Sequence, residues 1–122
     1  MNFVGTLEKN NSTSKRIPGR VQPVISEVRR ELLSIYRDRL KKLILYGSFA
    51  RGDYKKDSDI DIILLLDRLT DIHDERARFS SVIGELSLKY DTVISVIPFD
   101  YSEFRSKKTP LILNVNKEGI LF

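Results

Sequence analysis

The feature that most constrains this chain is the passage from Leu43 to Leu66. Two apolar runs, Leu43-Ile44-Leu45-Tyr46 and Ile62-Ile63-Leu64-Leu65-Leu66, flank a polar stretch. That stretch opens on Gly47-Ser48 and closes, ten residues later, on Asp59-Ile60-Asp61. Short apolar runs bounded by turn residues read as strands buried on both faces. A Gly-Ser turn leaving the first strand and an Asp-x-Asp entering the second share one end of a sheet only if the two strands run antiparallel. The passage therefore sets a strand pair and brings its polar ends together.

The rest of the chain builds around that pair. Pro23 suits the first turn of a helix, and Val24, Val28, Leu32, Ile35 and Tyr36 recur at helical spacing, with an end expected near Asp38 to Leu40. A long helix is expected over Asp71 to Lys89, with Ile72, Phe79, Val82, Ile83, Leu86 and Tyr90 as its apolar stripe and Gly84 as a weak point. Thr92 to Ile97 reads as a third strand closed by Pro98. Ser102 to Ser106 reads as a helical turn, Thr109-Pro110 as a helix start ended by Gly119, and Ile120 to Phe122 as an edge strand. Strands two and three, joined by a long helix, suit a right-handed parallel crossover. The expected fold class is α/β (α+β): a small mixed sheet flanked by helices. Residues 1–19 read as a polar, flexible leader and residues 20–122 as one domain.

Composition excludes several classes. The chain has 122 residues, enough for one core, and no apolar run approaches the ~20 residues of a membrane helix. With no cysteine there are no disulfides or thiolate metal sites, and with no apolar N-terminal segment a cytoplasmic location is expected. A net charge of +4 suits phosphates or nucleotides, although a solvated surface explains it equally well. The basic residues are spread out and not interleaved with aromatics, so nucleic-acid binding has weak support.

The chemistry lies in the motif. Strand residues two apart point to one face, so Asp59 and Asp61 sit together with Cα atoms about 7 Å apart. Two such carboxylates repel unless a cation lies between them, and oxygen ligands favour magnesium or manganese. Magnesium takes few protein carboxylates and completes its shell with water and phosphates, so the site is whole only with a triphosphate bound. Gly47 lets backbone approach a phosphate closely, Ser48 can donate to a terminal phosphate oxygen, and Arg51 can bind a phosphate or brace the loop.

Gly47-Ser48, Ala50-Arg51-Gly52 and Ser58-Asp59-Ile60-Asp61 together resemble the signature of the DNA polymerase β-like nucleotidyltransferase superfamily. At this length the chain is similar to the minimal nucleotidyltransferases. The resemblance implies the polymerase β-like fold. It also implies transfer of a nucleoside monophosphate, in the usual case AMP from ATP, to a hydroxyl, with two magnesium or manganese ions on Asp59 and Asp61 and the β- and γ-phosphates on Gly47 and Ser48. Small members of this kind are antitoxins paired with a helical HEPN-domain toxin, and they act by adenylylating the partner, by binding it, or both. Oligomeric state, homomeric or heteromeric, is left open.

One position departs from the pattern. Active members carry a third carboxylate on the third strand, where this chain has Ser95; Asp91 shares its parity but lies about 13 Å away along an extended strand. The alternative to an enzyme is therefore a nucleotide-binding or scaffold subunit that acts by complex formation. Other residues have plain readings. His73 with Asp71, Asp74 and Glu75 is a charged first helical turn, Asp53 and Asp57 are turn formers, Asp100 is at the surface, Tyr46 is core or motif support, and nothing selects Tyr54 or Tyr101 as an acceptor.

Overall fold

The computed structural model describes residues 17–122. The leader expected over 1–19 lies, up to residue 16, outside the described residues. Ile17, within the span expected to be leader, is buried in the core.

Helix α1 (Gln22–Tyr36) starts with Pro23 in its first turn and buries Val24, Val28, Leu32 and Tyr36 at four-residue intervals. Ile35, expected on that stripe, is exposed. Arg37, at φ 51°, ends the helix and leads through one 3-10 turn into β1 (Leu40–Tyr46). A one-turn helix, α2 (Ser48–Arg51), follows, and a loop then leads to β2 (Ile60–Leu66). The long α3 (Ile72–Lys89) crosses to β3 (Ile94–Asp100), and α4 (Tyr101–Ser106), α5 (Pro110–Glu118) and β4 (Ile120–Leu121) complete the chain.

The sheet order is β3-β2-β1-β4. β1 and β2 are antiparallel, with Tyr46 opposite Asp61; β2 and β3 are parallel; and β4 pairs antiparallel with β1. This is the mixed sheet the sequence implies. The central strands read as continuous apolar runs because both faces are covered. Residues 62–66 of β2 are all 0% exposed, and each such Leu or Ile contributes about 1.5–3 kcal/mol of burial. On one face Leu43, Leu45, Ile62 and Leu64 pack with α1 and α3. On the other, Ile44, Ile63 and Leu65 pack with Phe104 of α4 and with Ile112 and Val115 of α5.

Two local expectations change. β3 runs through Pro98 to Asp100 instead of closing before it. The Ile60 N–H donates to the Val93 carbonyl, so alternate residues from Val93 onward bond to β2, and Ile94, Val96 and Pro98 turn their backbone groups outward. Pro98 thus lacks an N–H where none is needed, and the outward N–H of Ile94 donates to the Ser87 hydroxyl. An edge strand tolerates proline at such a position and is blunted by it. In α3, Asp71 is the N-cap, accepting from the N–H groups of His73 and Asp74. Ile72 is exposed, and the inward-facing residue of the first turn is Glu75.

Candidate functional site

At the end of β1 the chain must turn sharply and leave room for β2's first residues. Gly47 meets both needs. Its φ is +78°, and a Cβ there would lie 2.4 Å from Asp61 Oδ2. An L-residue with a side chain is disfavoured by the first and, by the second, would push the Asp61 carboxyl out of its place. The Gly47 carbonyl accepts from the Ala50 and Arg51 N–H groups and starts α2; Gly52, at φ +92°, caps it in the left-handed region. The first N–H groups of such a turn, on Ser48 and Phe49, have no acceptor within the helix. Ser48 is half-buried beside them.

Asp61 shares the α4/α5 face with Ile63 and Leu65, and its half-buried carboxyl packs against the Gly47 backbone. Burial first, and the charge of Asp59 second, push its pKa up; the Arg51 guanidinium opposes them. Asp59 stands just before β2 and is exposed. Neither acid has a hydrogen bond or ion pair among the described residues. The strand register places Tyr46 on one side of Asp61 and Ser95, half-buried, on the other. Asp91 stands in the turn before β3 at φ 49°, exposed, lining a groove with Lys56, Thr92 and Val93. Among the described residues, no three acidic or histidine side chains form a group able to hold a metal by themselves.

Arg51 reaches two carboxylates: its Nε lies 3.2 Å from Asp53 Oδ2, and its Nη1 lies 3.6 Å from Glu118 Oε2. The hydrogen bond to Asp53 does most to push the guanidinium pKa up further, so Arg51 stays charged. Asp53, read from sequence as a turn former, is thus a partner of Arg51. Glu118 escaped sequence reasoning because it lies 67 residues from Arg51, at the C-terminal end of α5, and only the packing of α5 beside β1 brings it there. Tyr54 stacks on Phe49 with centroids 4.7 Å apart, and Arg105 lies over Tyr101. Asp100 is more than a surface residue. Its two carboxyl oxygens accept from the Leu69 and Glu103 N–H groups, tying the loop after β2 to α4.

The arrangement fits a divalent cation with a phosphate ligand. One carboxylate is held half-buried against a glycine backbone, the next lies beside it, and their mutual repulsion is relieved by no ion pair of their own. Hard oxygen donors at one or two positions, with room left for phosphate and water, are what magnesium accepts.

Comparison with known proteins identifies the family and the fold. The profile of the family described as "Nucleotidyltransferase domain" matches residues 25–121. A protein of Methanocaldococcus jannaschii, provisionally named a protein adenylyltransferase, is 33% identical over 97 residues, covering 80% of this chain and 93% of the relative. A second protein of that organism, with the same provisional name, is 40% identical over 89 residues, covering 70% of this chain and 80% of the relative. Among solved structures, a toxin–antitoxin with AMP-PNP aligns with a TM-score of 0.54 at 24% identity, covering 76% of this chain and 68% of that one. The toxin–antitoxin MntA–HepT aligns with a TM-score of 0.51 at 21% identity, covering 82% and 69%. At these identities the structural matches speak for the fold alone. No helix among the described residues is long and apolar enough to cross a membrane.

Proposed function

Because the chain belongs to the nucleotidyltransferase domain family, we propose that it transfers AMP from ATP to a hydroxyl of a partner protein. We further propose that this partner is a small helical HEPN-type protein, with the present chain as the antitoxin of the pair in the cytoplasm. The observation that carries the reading is the seating of Asp61 against Gly47, with Asp59 beside it and neither acid paired with a cation among the described residues. The provisional names of the two relatives support protein adenylylation. The pairing and the donor are proposed by analogy with the toxin–antitoxin structures, one with AMP-PNP, that share the fold.

In this reading Asp59 and Asp61 hold magnesium or manganese. When bound, the metal supplies Lewis-acid activation of the attacking oxygen and neutralisation of the leaving group. The protein's own residues do the rest. The backbone at Gly47 and Ser48, with the Ser48 hydroxyl, receives the β- and γ-phosphates. Arg51 exchanges part of its contact with Asp53 and Glu118 for a phosphate oxygen. The new bond joins the acceptor oxygen to the α-phosphorus; the bond to the bridging oxygen breaks, pyrophosphate leaves, and the acceptor's proton passes to solvent. Ser95, beside Asp61 in register, offers a neutral hydroxyl where a third charge would hold the metal more tightly. That residue favours the second reading, a nucleotide-binding subunit that silences its partner by complex formation.

Label transfer tests the proposal. The protein is incubated with α-labelled ATP, magnesium and a co-purified HEPN-type partner. Labelled partner and released pyrophosphate are expected, and both should vanish with Asp59→Asn. If no label moves and no pyrophosphate appears, the enzymatic reading fails; metal-dependent ATP binding retained under those conditions supports the second reading.

A further inference from the structure

Asp59 raises a mechanical question. It stands outside β2, exposed, at the end of a loop of exposed residues, with no side-chain hydrogen bond among the described residues. A metal ligand so placed is only as well positioned as the loop that carries it. We infer that Arg20 is the positioning residue for this loop, and through it for Asp59. The inference rests on the nucleotidyltransferase reading given above.

Four contacts converge on the Arg20 guanidinium. Its Nη2 donates to the Lys56 carbonyl at 2.9 Å and to the Lys55 carbonyl at 3.3 Å. The same group lies 5.0 Å from the centroid of Phe49 and 5.6 Å from that of Tyr54, two rings that stack on each other. Arg20 thus pins both ends of the loop: Phe49 belongs to α2, and Lys56 lies three residues before Asp59. The intervening chain is stiff. The Ser58 N–H donates to the Lys55 carbonyl, and the Ser58 hydroxyl accepts from the Lys55 N–H at 2.7 Å. One residue past Asp59, the Ile60 N–H donates to the Val93 carbonyl. Asp59 is therefore suspended between the Arg20-held turn and β3.

Arg20 is itself well anchored. Val21 and Ile17 are buried in the core, the Val21 N–H donates to the Pro18 carbonyl, and Gln22 Nε2 donates to the Ile17 carbonyl. A guanidinium suits the task better than an ammonium because its flat face lies against the aromatic rings while one terminal nitrogen donates to both carbonyls. Arg20 also lies five residues before the span matched by the family profile.

The test uses the full-length protein with Arg20→Ala and Arg20→Lys. Three quantities are measured: the thermal midpoint, amide hydrogen exchange over residues 53–59, and the magnesium dependence of binding a fluorescent non-hydrolysable ATP analogue. For Arg20→Ala we expect faster exchange confined to the loop and about a tenfold rise in half-saturating magnesium, the low end for hydrogen bonds to a charged group. Arg20→Lys should restore less than half of that loss. Unchanged loop exchange with unchanged magnesium dependence overturns the inference, as does full rescue by lysine. An Arg20→Ala protein that loses thermal stability while its remaining folded fraction keeps wild-type magnesium dependence overturns it too, since Arg20 would then be a stability clamp only. If wild-type protein binds no nucleotide with magnesium, the underlying nucleotidyltransferase reading fails, and the proposal fails with it; that result is read on the wild type, before any variant.

Discussion

The two ends of β2 treat negative charge in opposite ways. Just past its C-terminal end, the buried carboxylate of Glu75 is met by Arg39 at 2.5 Å and by Arg78 at 3.4 Å. The Arg39 fork also donates to the Asp67 and Arg68 carbonyls, and the Tyr36 hydroxyl donates to the Glu75 carbonyl. The Arg78 contact is an ion pair without hydrogen-bond geometry, so Glu75 Oε1 is electrostatically met but not bonded. At the N-terminal end, Asp61 is half-buried beside Asp59, and neither has a bond or ion pair among the described residues. A buried charge with partners helps fix one arrangement of the chain; a half-buried charge without them costs stability. The proposed function accounts for this contrast, since a metal ion would there neutralise the pair that the described residues leave unpaired.

The largest effect should come from Asp61→Asn. Removing that charge relieves both the repulsion from Asp59 and the burial penalty, so the melting temperature should hold or rise. Nucleotidyl transfer should fall about 10²–10³-fold, the scale of losing one preorganised electrostatic group. Paired melting and label-transfer measurements check this. A protein that loses stability and keeps transfer would reverse the contrast between the two ends.

The opposite pattern is expected at the other end. Arg39→Ala leaves Glu75 with only Arg78, which is well exposed. Breaking a fully buried pair costs about 3–5 kcal/mol; Arg39 itself is partly exposed, so about 2 kcal/mol in urea unfolding is a better expectation. Transfer per folded molecule should not change. Tyr36 gives the same region a pH signature. Burial and then the Glu75 charge push its pKa up to about 12 from 10.0. The folded state therefore holds this proton more tightly than the unfolded chain. That stability is fully present below pH 10 and is lost as pH climbs toward 12. Tyr36→Phe should lack that alkaline loss, and a melt series across this range would show it.

How much of this contrast could be read from the residues alone differs between the two ends. The functional end is local in sequence. Gly47, Ser48, Asp59 and Asp61 lie within fifteen residues, and their flanking apolar runs dictate an antiparallel pair. Periodicity also placed α1 and α3, because each is long enough to show its buried stripe, and Thr109-Pro110 with Gly119 bounded α5. The Glu75 network was illegible. A glutamate in a first helical turn looks like a dipole-favoured surface residue, and only the approach of Arg39, 36 residues away, makes burial tolerable. Pro98 misled for a related reason: proline ends a central strand but not an edge strand whose N–H would face outward, and which strand is the edge follows from topology. Arg20 and Glu118 are ordinary surface charges until tertiary packing brings them to the loop.

Ser95 allows the functional end to be sharpened by addition. In register it stands beside Asp61 on β3. Ser95→Asp places a third carboxylate there and makes the bare end more acidic still. Without metal the variant should melt lower than wild type, through like-charge repulsion in a half-buried place. With magnesium the order should narrow or invert, and half-saturating magnesium for transfer should fall about tenfold, in keeping with one added carboxylate ligand. A variant that melts lower at every magnesium concentration and transfers no better would show that Ser95 does not face the metal position.

The smallest effect concerns Arg51, the cation among the described residues whose charge acts on Asp61. Arg51 is shared between Asp53 and Glu118, and under the proposed function both would compete with an incoming phosphate. Exposed ion pairs are weak, so removing one competitor should shift an equilibrium only about twofold. The direction is informative. If Arg51 serves phosphate, Glu118→Gln frees it, and KM for ATP falls with kcat little changed, because the gain is made in the ground state and the transition state alike. If Arg51 mainly braces the loop against α5, the same change loosens α2 and KM rises. A rise would move Arg51 to the structural side of the comparison, leaving Gly47, Ser48 and the two aspartates to hold the triphosphate without a guanidinium. A fall would make Arg51 the counterpart of Arg39: one guanidinium committed to an internal acid, the other held loosely by two acids until a phosphate takes their place.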